Sequence, residues 1–425
     1  MDAFVTRTSK KRKPSAELIA ATTPADAAPE ESTDIKLAIL SSLHPDIDQE
    51  TLLDILLAHD GNVEATAEAL KSRHLNTSRK PPSSSTVTSQ TSLRSFADLS
   101  SPPSKRAKVM CKKGQTLHLY DPKDIAEHTP CSIIHNFLPA AEANALLIEL
   151  LEESKTFEKI TFKLFDNVVS SPHTSGFYVG TAKELHEQKH DYVYNGARLA
   201  DVRTLTPQLE RVRSRVQEVV NREIQARIHT HHGGKKLKYQ SPLPWNPNAA
   251  FVNCYNGPQE SVGWHTDQLT YLGPRPTIGS LSLGVAREFR VRRMLPPDPS
   301  SSQSESLGPQ ISLHLPHNSL LIMHSTMQEE WKHSISPASS LTPHPIAINR
   351  RINITYRDYK PQFHPRFTPK CPCGVPCVLR VVTKNPKNWG KYFWMCHAGN
   401  VPGKQGCEYF KWAEFDDDGN PIPTT

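Results

Sequence analysis

Long apolar runs are missing from this chain of 425 residues. Its apolar runs are short, such as Leu320-Leu321-Ile322-Met323, far below the roughly 20 residues that span a bilayer. An apolar signal core is also missing after Met1-Asp2-Ala3-Phe4, so the expectation is a soluble intracellular protein with no membrane partner. Hydrophobic residues make up only 37% while prolines number 36. That is too little apolar surface to order the whole chain, and linkers are expected beside one domain of roughly 250 residues. Cysteines are scarce: there are eight, and Cys371, Cys373, Cys377, Cys396 and Cys407 crowd one short segment. In a reducing compartment such clustering points to zinc rather than disulfides. Acid is nearly absent from the same segment. From Arg366 to Trp412 eight Lys or Arg residues face Glu408 alone, a net +7 equal to that of the whole chain. Charge concentrated in this way is the footprint of phosphate contacts.

What is present centres on Ala249 to Tyr255, an apolar strand pattern, followed by Gly263-Trp264-His265-Thr266-Asp267. Alternate residues of a strand point the same way, so His265 and Asp267 can share one ion. His333 lies far downstream in Trp331-Lys332-His333. Two histidines and one carboxylate make the facial triad of non-heme Fe(II) oxygenases, which leaves positions open for co-substrate and oxygen. Further on, Arg351, Asn353, Thr355 and Arg357 alternate with Ile352, Ile354 and Tyr356. On a lone strand the polar row would face solvent. Inside a barrel it would need an anion, and arginine pairs bidentately with carboxylates such as those of 2-oxoglutarate.

Around these residues the pattern predicts two helices and then a run of strands. Glu142 to Phe157 is one helix, burying Leu146, Leu147, Leu150 and Leu151. The other starts with Thr206 as cap and Pro207 at the first position, burying Leu209, Val212, Val216 and Val220. Strands are predicted at Phe251–Tyr255, Ile278–Gly284, Phe289–Arg293, Ile311–Leu315, Ser319–His324 and Ile352–Arg357. The order is α+β, and the strands fit a jelly roll, a double-stranded β-helix. The Pro/Ser-rich residues 295–309 read as an insertion in a hairpin.

Asn253-x-Tyr255, His265-x-Asp267, His333 and Arg351-x-Asn353-x-Thr355-x-Arg357 follow one another in the order found in the AlkB-type Fe(II)/2-oxoglutarate dioxygenases, which this segment resembles. The resemblance spans roughly 200 residues of a domain placed at 116–365. It implies Fe(II) on His265, Asp267 and His333, and 2-oxoglutarate held by Arg351, Tyr255 and Asn353, with Arg357 and Asn253 near its C1 end. It also implies a flipped or unpaired base stacked between His265 and Phe177 or Tyr178, and a hairpin beside the site carrying Arg287. Family members that repair DNA usually follow His-x-Asp with further acids; here Gln268-Leu269-Thr270 stands instead, which leaves the preferred lesion open.

The flanks add modules. Residues 366–417 can bind one tetrahedral zinc through Cys371, Cys373, Cys396 and Cys407. With Gly390-Lys391-Tyr392-Phe393 and Tyr409-Phe410-Lys411-Trp412 they resemble a GRF zinc finger, a module that binds single-stranded DNA. By the family's spacing Cys377 is not a ligand. Residues 34–73 pattern as a small bundle of three helices. Leu43-His44-Pro45, Leu56-Leu57 and Asn62-Val63-Glu64-Ala65 make it resemble a CUE domain, which implies ubiquitin contacts through Leu43, Pro45, Leu56 and Leu57. The polar N-terminus, 1–33, carries Lys10-Lys11-Arg12-Lys13. The Ser/Pro-rich linker, 74–115, carries Lys105-Arg106-Ala107-Lys108. Both basic clusters read as nuclear-import signals. Gln90 to Ala97 resembles the peptide that docks on the sliding clamp PCNA.

The function expected from these features is repair of alkylated DNA in the nucleus. Oxidative demethylation of 1-methyladenine or 3-methylcytosine would release formaldehyde, succinate and CO2. An RNA N-methyl demethylase shares the same iron site. A ubiquitin-binding DNA-damage adaptor with a vestigial oxygenase and a protein hydroxylase are further alternatives; the complete triad argues against the first, and the basic aromatic finger against the second.

Overall fold

The computed structural model of the protein describes residues 62–75 and 116–422, apart from 165–166, 189–191, 195–196, 199–200, 295–307, 384 and 401–402, together with Leu40, Leu52, Ile55 and Leu56. The chain divides into two compact units, 1–100 and 101–425. The basic clusters, the clamp-like peptide, Leu43, Pro45, Leu57 and most of the 295–309 insertion lie outside the described residues. In the first unit, helix α1 (Val63–Leu75) is capped by Asn62, whose Oδ1 accepts from the Ala65 N–H at 2.9 Å. Leu40, Leu52, Leu56, Ala67 and Leu70 form its apolar cluster. Leu56 is 1% exposed. This corrects its assignment as a ubiquitin contact: burial makes it part of its own unit's core.

The second unit is built on two sheets and a small third one. In chain order its strands are β1 (Leu117–Leu119), β2 (Cys131–Ile134), β3 (Thr174–Val179), β4 (Val202–Thr204), β5 (Ala249–Asn256) and β6 (Val262–His265). Next come β7 (Ile278–Gly284), β8 (Arg287–Arg293), β9 (Ile311–Leu315), β10 (Ser319–Met323), β11 (Trp331–Ile335) and β12 (Arg350–Arg357). The C-terminal segment adds β13 (Val378–Val381), β14 (Tyr392–Met395) and β15 (Phe410–Trp412). Two further short hairpins flank β3. The larger sheet runs β2-β10-β7-β12-β5-β3-β4, the smaller one β1-β9-β8-β11-β6, and the last three strands form their own sheet. The fold is α+β, two sheets arranged as a jelly roll and followed by a small three-stranded sheet. Among the described residues no helix is long and apolar enough to cross a membrane.

Two helices cover the outer face of the larger sheet: α2 (Ala140–Glu153) and α3 (Pro207–His231). Leu146, Leu147, Leu150, Leu209, Val212, Val216 and Val220 are all buried against Val252, Leu281, Ile352, Ile354 and Tyr356. Each fully buried aliphatic side chain contributes about 1.5–3 kcal/mol relative to exposure. The start of α3 differs from expectation. Thr206 makes no side-chain cap; its hydroxyl donates to Glu149 Oε1 instead. The same Glu149 oxygen accepts the Gln208 N–H at 3.1 Å, so a carboxylate borrowed from α2 satisfies the helix end and complements its dipole.

The alternation along β12 now has its answer. Ile352, Ile354 and Tyr356 lie in the helix-side core, while Arg351, Asn353 and Thr355 are also buried, on the opposite face. That face looks into the barrel, where a second apolar cluster includes Tyr255, Phe289, Val291, Leu313 and Leu321. The polar row is therefore interior, with Arg351 fully buried.

Candidate functional site

Strand β6 pairs with β11 in a register that sets His265 opposite His333. Asp267 follows β6 by two residues. One ligand atom from each of His265, Asp267 and His333 lies within 4.8 Å of the others. Asp267 Oδ1 is 3.6 Å from Nε2 of both histidines. His265 Nδ1 donates to the Gly263 carbonyl at 2.8 Å, which fixes the tautomer and leaves Nε2 as the metal-facing lone pair. Burial, reinforced by His265, lowers the His333 pKa to about 4, so this imidazole is neutral. Burial acts to raise the Asp267 pKa, but Arg357 and the two histidines outweigh it and hold the carboxyl well below its ordinary range. An anionic carboxylate beside two imidazoles is the donor set that divalent iron takes.

Beside the triad, Arg351 is fully buried. Its Nη2 donates to Ser282 Oγ at 2.8 Å, while Nε and Nη1 have no protein partner. No ion pair offsets its charge among the described residues, and burial lowers its pKa to about 10. Its guanidinium carbon lies 5.2 Å from the centroid of the Tyr255 ring, whose other contacts include a stacked His173 at 4.8 Å. A buried cation with no ion-pair partner is costly, and the N–H groups of Nε and Nη1 remain able to donate to an anion. A buried cation of this kind suits the distal carboxylate of 2-oxoglutarate.

The remaining candidates divide. Asn253 and Asn353 lie on the same inner wall. Asn253 Oδ1 accepts from Ser175 Oγ at 2.8 Å, and Asn353 Nδ2 donates to Ser280 Oγ at 2.9 Å. Arg357 lies against the triad: its Nη2 donates to Asp267 Oδ2 at 2.7 Å. Tyr178 is core and not a base-stacking residue, because its ring lies under the helices and its hydroxyl donates to Glu153 at 2.9 Å. Phe177 points the other way, but it is 2% exposed among Tyr192, Phe251 and Tyr359, so it packs rather than presents a face. Arg287 is no substrate contact either. It is buried and donates to the carbonyls of Gly257, Pro258, Glu260 and Ser336 at 2.7–3.3 Å.

Three further features complete the site. Gln328 Oε1 accepts the Asp267 N–H at 2.7 Å; nothing in the local pattern marks it. Phe289 stacks on His333 with centroids 5.3 Å apart. Ser280 and Ser282, alternating on β7, supply partners for Asn353 and Arg351; their alternation was a signal that could have found them.

In the C-terminal segment the sulfur atoms of Cys371, Cys373, Cys396 and Cys407 lie within 4.8 Å of one another. Backbone N–H groups of Ala398 and Cys407 donate to Cys396 Sγ, each at 3.4 Å, which favours a thiolate and suits a four-sulfur zinc site. Cys377 stands outside this group, buried, its thiol pushed up to about 12 by burial. On the sheet beside it Phe393 stacks on Phe410 at 5.1 Å. Phe410 and Trp412 are 49% and 42% exposed, and Lys391 Nζ lies 5.6 Å from the Trp412 centroid.

Comparison with known proteins agrees with this chemistry. Residues 130–357 match the 2OG-Fe(II) oxygenase superfamily, and residues 369–416 match the GRF zinc finger. Alpha-ketoglutarate-dependent dioxygenase alkB homolog 3 of Rattus norvegicus is 32% identical over 122 residues, 29% of this chain and 38% of that protein. DNA oxidative demethylase ALKBH2 of Arabidopsis thaliana is 32% identical over 122 residues, covering 26% of this chain and 37% of that protein. The protein of the same name from Mus musculus is 26% identical over 223 residues, 52% of this chain and 77% of its own length. Against the first two of these, the chain spans less than two-fifths of the relative's length.

Proposed function

The chain belongs to the 2OG-Fe(II) oxygenase superfamily, and from that footing we propose that it repairs alkylated DNA by removing N-methyl groups from bases such as 1-methyladenine and 3-methylcytosine. It is an Fe(II)- and 2-oxoglutarate-dependent dioxygenase with a zinc finger. The observation that carries the proposal is the pairing of the His265–Asp267–His333 cluster with a buried Arg351 whose Nε and Nη1 lack partners.

His265, Asp267 and His333 would hold the iron, and Arg351 the distal carboxylate of 2-oxoglutarate. With oxygen, the bound iron and 2-oxoglutarate would supply the oxidising power to hydroxylate the methyl carbon, which would be lost as formaldehyde, the co-substrate being converted to succinate and CO2. The protein's own tasks are positional. Arg357 engages one oxygen of Asp267, and Oδ1 remains toward the histidines. His333 stays neutral and fixed beneath Phe289. Tyr255 and Ser282 hold Arg351, and Ser280 holds Asn353.

Nucleic acid as substrate is supported by two features. Relatives named DNA oxidative demethylase match this chain, and the finger carries exposed aromatic rings among basic residues, an arrangement suited to stacking bases and tracking a single strand. A nuclear location is part of the proposal, supported by the two basic clusters. Ubiquitin and PCNA as partners are supported by the sequence patterns of 34–73 and 90–97. Formaldehyde release and base mass from methylated oligonucleotides test the substrate class. Turnover of single-stranded DNA ahead of matched RNA is expected; turnover of RNA alone would replace this reading with an RNA demethylase.

A further inference from the structure

The zinc finger packs on the catalytic barrel directly behind the iron site. Leu269, two residues after Asp267, shares one apolar cluster with Val375, Leu379, Trp394 and Phe415 of the finger, and Phe363 closes it. Gly273 permits this approach: its φ is +72°, and a Cβ there would lie 2.4 Å from the Phe363 ring. At the far edge the Tyr239 N–H donates to the Asp417 carbonyl at 3.0 Å, and Lys236 pairs with Asp418 at 2.9 Å.

A second connection is polar. Tyr392 of β14 donates its hydroxyl to Glu329 Oε1 at 3.1 Å, in a buried position. The Arg275 N–H donates to the same oxygen at 2.7 Å. Glu329 belongs to the four-residue helix α4 (Met327–Glu330). Its neighbour Gln328, 1% exposed, is the residue that accepts the Asp267 N–H. The helix is entered through Thr326 at φ +94°, a conformation that costs a β-branched residue free energy and persists only when its surroundings hold it. Immediately after α4 comes β11, which carries His333.

We propose that the docked finger positions the iron site, with Tyr392, Glu329, Gln328 and Leu269 as positioning residues that hold Asp267 in place. The proposal rests on the reading of His265, Asp267 and His333 as metal ligands. It makes the zinc finger part of the oxygenase as well as a nucleic-acid grip. Outer-shell partners of metal ligands typically alter metal affinity by about 10–100-fold; Gln328 is such a partner of Asp267, and Tyr392 acts on it through the neighbouring Glu329.

The test is Mn(II) binding to the full chain, read from the electron paramagnetic resonance of free Mn(II). Wild type is compared with Tyr392→Phe, Leu269→Ala and Asp267→Ala, with zinc content and melting temperature measured on each. Tyr392→Phe is expected to retain its zinc and its melting temperature yet bind Mn(II) about 10-fold more weakly, with Leu269→Ala weaker in the same sense. Should Leu269→Ala fail to fold, Tyr392→Phe decides alone. Mn(II) affinity equal to wild type in a zinc-loaded Tyr392→Phe protein overturns the proposal while leaving the iron site standing. Wild-type protein that binds no Mn(II), or binds it as tightly after Asp267→Ala, overturns the iron-site reading and this inference with it.

Discussion

Arg357 reaches Asp267 across the barrel wall, its Nη2 2.7 Å from Oδ2. Ninety residues separate the two in sequence, and the contact divides the carboxylate's work: one oxygen faces the arginine, the other the two imidazoles. The last arginine of the Arg351–Arg357 row therefore orients a residue of the triad. Arg357→Met should weaken Mn(II) or Fe(II) binding by about 10–100-fold, the usual cost of removing such a partner. Metal titration under anaerobic conditions checks this; a change confined to the KM for 2-oxoglutarate would contradict it.

Arg351 should behave oppositely. Two nitrogens of its buried guanidinium, Nε and Nη1, have no protein partner, so a carboxylate has donors to meet there. In Arg351→Met the affinity for 2-oxoglutarate should fall by about 2–5 kcal/mol, the range for truncating one member of a buried charge pair, with metal affinity retained. 2-Oxoglutarate should raise the melting temperature of wild type, since it binds only the folded state, and leave that of the variant unmoved. Thermal scans of both proteins with and without the co-substrate provide the measurement.

Arg287 ties down the loop after β5. Replacing it by alanine strands four carbonyls that now accept its N–H groups. Buried acceptors left without donors cost about 1–3 kcal/mol each where water cannot reach them. Arg287→Ala should lower stability by at least that amount, measured by urea denaturation. Unchanged stability with a raised KM for DNA would restore the substrate role that the structure removes.

The finger's exposed rings give a separate expectation. Phe410→Ala combined with Trp412→Ala should weaken binding of single-stranded DNA by about 1–3 kcal/mol for each base that loses a stacking partner. Fluorescence anisotropy with a labelled oligonucleotide reads this, and zinc content confirms that the finger is loaded. Affinity equal to wild type would move the nucleic-acid contact off this face.

The iron and zinc ligands were legible because the His265-x-Asp267 spacing and cysteine clustering are local patterns with specific chemistry, although Asp267 lies beyond the end of β6 rather than alternating along it. The buried row on β12 was legible only up to a choice, since period-two alternation says that Arg351 and Ile352 point apart without saying which face water reaches. Neighbours Phe177 and Tyr178 pose the same problem on β3, and here both faces proved closed, one by helices and one by other aromatic rings. Arg287 looked available because its carbonyl partners carry no side-chain signature. Gln328 and Tyr392 escaped notice because their roles exist only once α4 and the finger are packed together.

The most direct test of the central claim is the stoichiometry of a single reaction. A single-stranded DNA oligonucleotide carrying 3-methylcytosine is incubated with the full chain, Fe(II), 2-oxoglutarate and oxygen, beside the Asp267→Ala protein. The expected result is one succinate and one formaldehyde for each cytosine restored, all three lost in the variant. Succinate formed without restored cytosine, or restoration that survives Asp267→Ala, would contradict it.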